Sequence, residues 1–302
     1  MRVVIAGGSG FIGRSLAKGL LERGHAVTIL TRRPPDAVAG GLPAGAAVQR
    51  WDPGQPLDPG VLDGAGAVVN LAGATIARRW TAAARRLILD SRVQSTQALV
   101  QAIKALATPP RVLVNASAVG YYGPRGDEPV TEAERPGSDF LAQVCREWEA
   151  AARAAEGAGV RVVRLRLGLV LGRGGALSRM SVPFRLFVGG PLGSGRQWMP
   201  WIHIDDVTGL VAFALEREGL AGPVNGTAPN PVRNREFALT LGRVVGRPAV
   251  VPAPAWALRL VLGEMSAMLL TGQRALPEAA LRAGYRFRHT ELEPALRAVY
   301  GP

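Results

Sequence analysis

The sequence predicts an α/β protein, a doubly wound parallel sheet followed by a smaller C-terminal lobe. Three observations carry this. Short apolar runs alternate with helix-period segments over the first 170 residues or so, the rhythm of βαβ crossover units. The first of these units sets three glycines between its strand and its helix. After Gly168 the rhythm changes, with glycines clustered at 172–175 and 189–195.

Taken in order, Val3–Ala6 reads as a strand. Arg14–Arg23 has helical periodicity through Leu16, Leu20 and Leu21 and stops at Gly24, a C-cap signal. Val27–Leu30 is the next strand, Pro34–Gly45 a Pro/Gly-rich loop, and Ala67–Leu71 a buried strand ending in Ala72-Gly73. A helix covers Ala82–Ala105 and Pro109-Pro110 ends it. Arg111–Ala116 is a strand, Ser117–Ser138 a polar loop, Asp139–Ala155 a helix capped by Ser138 or Asp139, and Val160–Leu165 a strand. A strand–helix step at Trp198–Leu215, a strand near Val224–Gly226, a helix from Asn234 and helices at Trp256–Leu262 and Met265–Leu270 complete the chain. The expected domains are residues 1–170, completed in part by 198–226, and a substrate lobe at 171–302.

The 302 residues suffice for a large α/β domain with a second lobe. No run of 18 apolar residues occurs, so no membrane span is expected, and the short apolar run Val3–Ala6 suits a buried strand rather than a signal peptide. A single cysteine, Cys145, excludes an internal disulfide and points to a reducing, cytoplasmic location. The net charge is +13, with lysine only at Lys18 and Lys104. The arginines are scattered without a block, so the charge reads as compositional bias and no nucleic-acid partner is expected.

Gly7-Gly8-Ser9-Gly10-Phe11-Ile12-Gly13 follows a strand and opens a helix. In that context Gly7 permits a tight turn, Gly10 lets backbone approach a pyrophosphate, and Gly13 lets helix and strand pack closely; the N–H groups at the helix start attract the phosphates. This is a Rossmann-type dinucleotide site, with Phe11 and Ile12 supplying backbone amides. A carboxylate at the end of the second strand would bind both ribose hydroxyls of NAD. Here the chain has Thr31-Arg32-Arg33, a hydroxyl and two guanidiniums suited to a 2′-phosphate. The expected cofactor is NADP(H).

Several further motifs resemble the extended short-chain dehydrogenase/reductases: Asn70-Leu71-Ala72-Gly73 at the fourth strand, Asn115-Ala116-Ser117 at the fifth, and Trp201-Ile202-His203-Ile204-Asp205-Asp206-Val207. Gly120-Tyr121-Tyr122-Gly123, Arg146 to Ala151, Leu169 to Gly175, Gly189 to Gly195, Gly263 to Arg274 and Ala283 to Phe287 are similar to one subgroup, the epimerase-family or sugar-nucleotide-epimerase-like proteins, some labelled cell-division-inhibitor-like. The resemblance implies NADP(H) binding and leaves the substrate open. It also implies that Asn70, Leu71 and Ala72 run along the nucleotide, that Arg92 reaches it from the following helix, and that Val170, in the loop after the sixth strand, lies near the nicotinamide. For Arg92 the competing reading is a surface arginine paired with an acid.

The Tyr-x-x-x-Lys pair of active members is absent. By position Phe140 and Val144 stand in its place, and no lysine follows Lys104. Ser117, with Tyr121 or Tyr122, is the remaining candidate proton relay, and Ser117 and Tyr121 are the candidate catalytic pair. Tyr121 and Tyr122 as packing residues are the competing reading. Arg173 and Arg196 suit an anionic group on a small-molecule substrate. His203 reads as a core residue, Asp205-Asp206 as helix caps, Glu128, Glu132 and Glu134 as solvated, and Cys145 as an inert thiol; the histidines show no metal-ligand spacing. Two functions follow: an NADP(H)-dependent oxidoreductase or epimerase-like protein, or a non-catalytic NADP(H)-binding sensor or scaffold. The residues are silent on oligomeric state.

Overall fold

The computed structural model describes residues 1–301. Its centre is a seven-stranded sheet built from β1 (Arg2–Ala6), β2 (Ala26–Thr31), β3 (Ala47–Arg50), β4 (Ala65–Asn70), β5 (Val112–Ala118), β6 (Arg161–Leu167) and β7 (Gly222–Gly226). The spatial order is β3-β2-β1-β4-β5-β6-β7 and every pairing is parallel. The order reverses between β1 and β4, which opens a crevice at their carboxyl ends, where ligands bind in such sheets.

Both faces are covered, which explains why the strands are apolar on both sides. Val3 and Ile5 pack with Leu16 and Leu20 of the helix Phe11–Glu22 and with Leu210 and Val211 of the helix Ile204–Glu216. Val4 and Ala6 face the other layer, with Leu99 and Ile103 of the helix Ala82–Lys104 and Ala152 of the helix Phe140–Arg153. Thr81 caps the first of these, its hydroxyl accepting from the Ala84 amide, and the Asp139 carboxylate caps the second at the Ala142 amide. A third cluster, with Leu177, Phe184, Trp201, Phe237, Leu241 and Leu296, is the core of the C-terminal lobe.

The fold differs from the sequence reading at identifiable places. β3 was not expected between Leu30 and Ala67; it is an exposed edge strand, so it carries no apolar run. Val170 lies within a strand, Leu169–Leu171, paired in parallel with Trp201–His203, and not in a loop. The strand of the Trp198–Leu215 step is broken at Pro200: Trp201–His203 pairs with Leu169–Leu171, and Trp198–Met199 pairs with Val232–Arg233. Met265–Leu270 is a 3₁₀ turn over Gly263–Ser266 followed by one helical turn at Ala267–Leu270.

Asp205 and Asp206 are not the cap of the helix they open. His203 is the N-cap, its Nδ1 accepting from the Asp205 amide at 3.2 Å. Asp206 is wholly buried and anchors the C-terminal segment: its carboxylate accepts from the Arg288 amide at 2.8 Å, the His289 amide at 2.9 Å and the Tyr285 hydroxyl at 3.3 Å. Among the described residues, no helix is long and apolar enough to cross a membrane.

Asp206→Ala strands two backbone donors away from water, each costing on the order of 1–3 kcal/mol, while the Tyr285 hydroxyl keeps the Asp206 carbonyl at 3.1 Å. The expected outcome is a stability loss of about 3 kcal/mol, with faster hydrogen exchange at the Arg288 and His289 amides than elsewhere in the chain.

Candidate functional site

The crevice is made by two backbone turns in contact. Gly7, directly after β1, has φ +75°, a conformation that favours glycine. A Cβ there would sit 2.8 Å from the Leu71 carbonyl and 2.9 Å from the Ala72 amide nitrogen. At Gly13 a Cβ would fall 2.5 Å from the Gly8 Cα, so that glycine is required by packing. Gly10 is different: its Cβ would meet only the Gly7 oxygen, at 3.2 Å, leaving open space beside the turn. Gly10 also caps the helix Phe11–Glu22, which has no side-chain cap and no acid in its first turn. The amides of Phe11, Ile12 and Gly13 are therefore presented to the crevice without intrahelical acceptors.

Asn70 does not itself face this crevice. It is fully buried at the end of β4, where its Oδ1 accepts from the Ala72 amide at 3.1 Å and its Nδ2 donates to Asn115 Oδ1 at 2.7 Å and Thr96 Oγ1 at 2.8 Å. Trp148 Nε1 donates to the same Thr96 hydroxyl. Asn70 thus shapes the turn through Leu71 and Ala72 while their backbone lines the cleft. Thr31 is likewise buried: its hydroxyl bonds Ser9 Oγ at 3.1 Å and accepts from the Arg33 amide at 3.3 Å. It ties the glycine turn to the end of β2, whereas Arg32 and Arg33 stand exposed there and form no ion pair among the described residues.

Arg92 packs its guanidinium beside Gly73, where a Cβ would lie 3.2 Å from its Cζ, and 5.1 Å from the Trp148 ring centre. Its Nη1 donates to the Ile88 carbonyl. Burial lowers its pKa, and no carboxylate among the described residues pairs with it. That removes the reading of a surface arginine held by an acid.

Behind β5 lies a buried polar network. Ser117 is buried and donates to Glu149 Oε1 at 2.8 Å. Arg166 binds both oxygens of Glu149, Nε to Oε1 at 2.8 Å and Nη2 to Oε2 at 2.9 Å, and its Nη1 donates to the Tyr122 hydroxyl at 2.9 Å. Tyr122 in turn donates to Asn225 Oδ1 at 2.6 Å. A buried ion pair persists only when both partners are fully bonded, and this fork-to-fork arrangement meets that condition. Burial opposes the charge on Arg166, yet the bonds to Glu149 outweigh it and raise the pKa. Burial pushes the Tyr122 phenol up to about 12 and the Cys145 thiol up to about 11, the nearby Glu149 charge adding to the latter.

Tyr122 is therefore a structural member of the network. Tyr121 is half-buried, with the Arg166 guanidinium 3.5 Å from its ring centre, and its hydroxyl bonds to no protein group among the described residues. Phe140 packs edge-on against Trp80 at 5.2 Å under Arg85, and Val144 is buried, so the 140–153 helix brings no phenol or ammonium to the cleft.

Glu149, Arg166, Asn225 and Glu132 were missed in the sequence. Glu132 is not solvated: it is buried, and its Oε1 accepts from the Asn225 amide at 2.8 Å. The available signal was Arg164 and Arg166 in the interior of a strand whose other interior residues are apolar, since a buried arginine demands a buried acid.

Arg173 donates to the Val299 carbonyl and lines, with Phe11, Arg14 and His203, a second cleft of about 570 Å³. The fold also gathers His203, Asp205 and His289, whose ligand atoms lie within 4.8 Å of one another. Nδ1 of His203 is already an acceptor for the helix amide, and the positive end of that helix disfavours a cation.

Comparison with known proteins agrees with this architecture. Residues 3–225 match the NAD dependent epimerase/dehydratase family, and residues 253–299 match a domain of unknown function, DUF1731. The epimerase family protein SDR39U1 of Bos taurus is 43% identical over 99% of this chain and 99% of its own length. The epimerase family protein YfhF of Bacillus subtilis is 37% identical, covering 98% of this chain and 97% of its own. A crystal structure of human SDR39U1 with NADPH superposes with a TM-score of 0.87 at 39% identity, covering 99% of both chains. The chain belongs to the NAD dependent epimerase/dehydratase family.

Proposed function

We propose that this protein binds NADP(H) in the crevice between β1 and β4 and acts on a small molecule held between that crevice and the C-terminal lobe. The observation that carries the reading is an uncapped helix start beside open space at Gly10, with Arg32 and Arg33 in place of a carboxylate at the end of β2. The likeness to human SDR39U1, crystallised with NADPH, supports it.

In this reading the amides of Phe11, Ile12 and Gly13 hold the diphosphate. Arg32 and Arg33 bind the 2′-phosphate, with Thr31 fixing their backbone. The backbone of Leu71 and Ala72 and the Arg92 guanidinium follow the nucleotide inward, and the 169–171 strand, with Val170, closes the nicotinamide end. When bound, NADP(H) would supply hydride-transfer chemistry at a substrate carbon. The accompanying proton moves at the substrate oxygen through the Tyr121 hydroxyl, the one candidate phenol here not engaged in a hydrogen bond. Ser117 spends its proton on Glu149, so toward a substrate it offers only lone pairs and acts as an orienting acceptor.

The same bond, with Phe140 and Val144 in the catalytic helix, favours a second reading: a cofactor-binding sensor without turnover. A substrate screen following the absorbance of the reduced nicotinamide separates the two, since tight binding with no turnover on a broad panel selects the sensor.

Three outcomes are expected. Gly10→Ala loses NADPH affinity in a titration with little change in thermal midpoint, whereas Gly13→Ala lowers the midpoint itself. Arg32→Ser with Arg33→Ser weakens NADPH by roughly 10- to 100-fold and leaves NADH nearly unchanged, the value of one or two charge-assisted phosphate contacts. Where a turned-over substrate is found, Tyr121→Phe abolishes turnover without changing cofactor affinity.

A further inference from the structure

One surface of the C-terminal lobe has no role in the site just described. The helix Gly175–Arg185 ends in a turn at which Phe187 adopts φ +63°, the only positive φ at a non-glycine among the described residues. That turn presents Leu186, Phe187 and Val188 to solvent, 66%, 58% and 55% exposed. The segment that follows it is laced to residues 251–253: the Val251 amide donates to the Gly189 carbonyl and the Ala253 amide to the Pro191 carbonyl. Val250 and Val251 are exposed alongside. The chain then enters the helix Ala255–Leu262, which buries no residue at all, and whose Trp256 and Leu260, one turn apart, are 71% and 73% exposed. Large apolar side chains exposed in this number and continuity mark an interaction surface.

The charge on this face is one-sided. Residues 174–195 hold two arginines and no Asp or Glu, and residues 244–263 hold two more and no acid. Arg185, Arg247 and Arg259 are exposed at the apolar side chains, and the Arg247 guanidinium lies 4.7 Å from the Phe187 ring centre. The first acid beyond, Glu264, is paired with Arg85. The +13 charge that reads from the sequence as diffuse is therefore, on this face, uncompensated.

These features select among occupants. A second copy would meet the patch through a two-fold axis, setting its arginines against themselves with no acid to answer them. The clefts of about 570 and 1010 Å³ are lined by other residues. Protruding apolar side chains, a tryptophan and a rim of arginine are what an interfacial surface needs to enter headgroups and hold anionic lipid. We propose that this face docks the protein on an anionic phospholipid bilayer, lying on the surface and not crossing it.

The test is flotation of the full chain with vesicles of equal parts phosphatidylglycerol and phosphatidylcholine, against phosphatidylcholine alone, at low and at raised salt. Binding to the anionic vesicles alone, weakened by salt, is expected. Trp256→Ser with Leu260→Ser, and separately Arg247→Gln with Arg259→Gln, should each lower partitioning roughly tenfold. Arg146→Gln with Arg153→Gln, exposed arginines on the 140–153 helix, should leave it unchanged. All these side chains are exposed, so the thermal midpoint checks that folding is intact. No flotation with anionic vesicles at low salt overturns the proposal. An equal loss in the 146/153 variant also overturns it, because binding then follows net charge rather than this face. So does a dimer in sedimentation that the Trp256/Leu260 variant converts to monomer, which would make a second copy the occupant.

Discussion

Everything about the candidate site depends on how closely two backbone turns approach. Gly7 and the Leu71–Ala72 segment pass near enough that a single methyl group on the former would sit 2.8 Å from the latter's carbonyl. This contact seats the glycine turn on the reversal point of the sheet, with β2 and β4 on either side of β1. The helix start is thereby aimed across the crevice and not into protein. Two buried hydroxyl and amide systems hold the geometry from behind: Ser9 and Thr31 on one side, Asn70, Asn115, Thr96 and Trp148 on the other. Neither system needs to touch a nucleotide. Each satisfies its own polar groups and so fixes the backbone of the two turns.

A second constraint governs the far wall. Arg166 brings a permanent charge into the sheet, and Glu149 answers it from the 140–153 helix. Because the pair shares partners with Ser117, Tyr122 and Asn225, strands β5, β6 and β7 and the loop after β5 are locked into one arrangement. The same network commits the polar groups around it. The serine hydroxyl has an internal acceptor, one tyrosine is committed to structure, and the other lays its ring against the guanidinium.

The parts of this molecule that could be read from residues alone are those whose signal is local. The glycine spacing after Val3–Ala6, the arginines following Thr31 and the Asp139 cap depend on neighbours within a few positions, and each lies where its pattern places it. Patterns that depend on partners far along the chain were misread. Asp206 resembles a helix cap, yet it is the anchor for amides more than 80 residues away. Glu132 resembles a solvated loop acid, yet it accepts from the backbone of β7. β3 gives no sequence signal because an exposed edge strand has no need of apolar side chains.

The chain by itself determined the alternation of strand and helix, the glycine turn at the head of the first helix and the family to which it belongs, since these rest on periodicity and on residue types required at fixed short intervals. Only the tertiary structure decided which side chains come together: that Ser117 answers to Glu149, that Arg92 has no acid, and that Arg247 lies over the exposed ring of Phe187. The reason is physical. Backbone preference acts between near neighbours, whereas desolvation and charge pairing act between whatever groups the fold brings within a few ångströms.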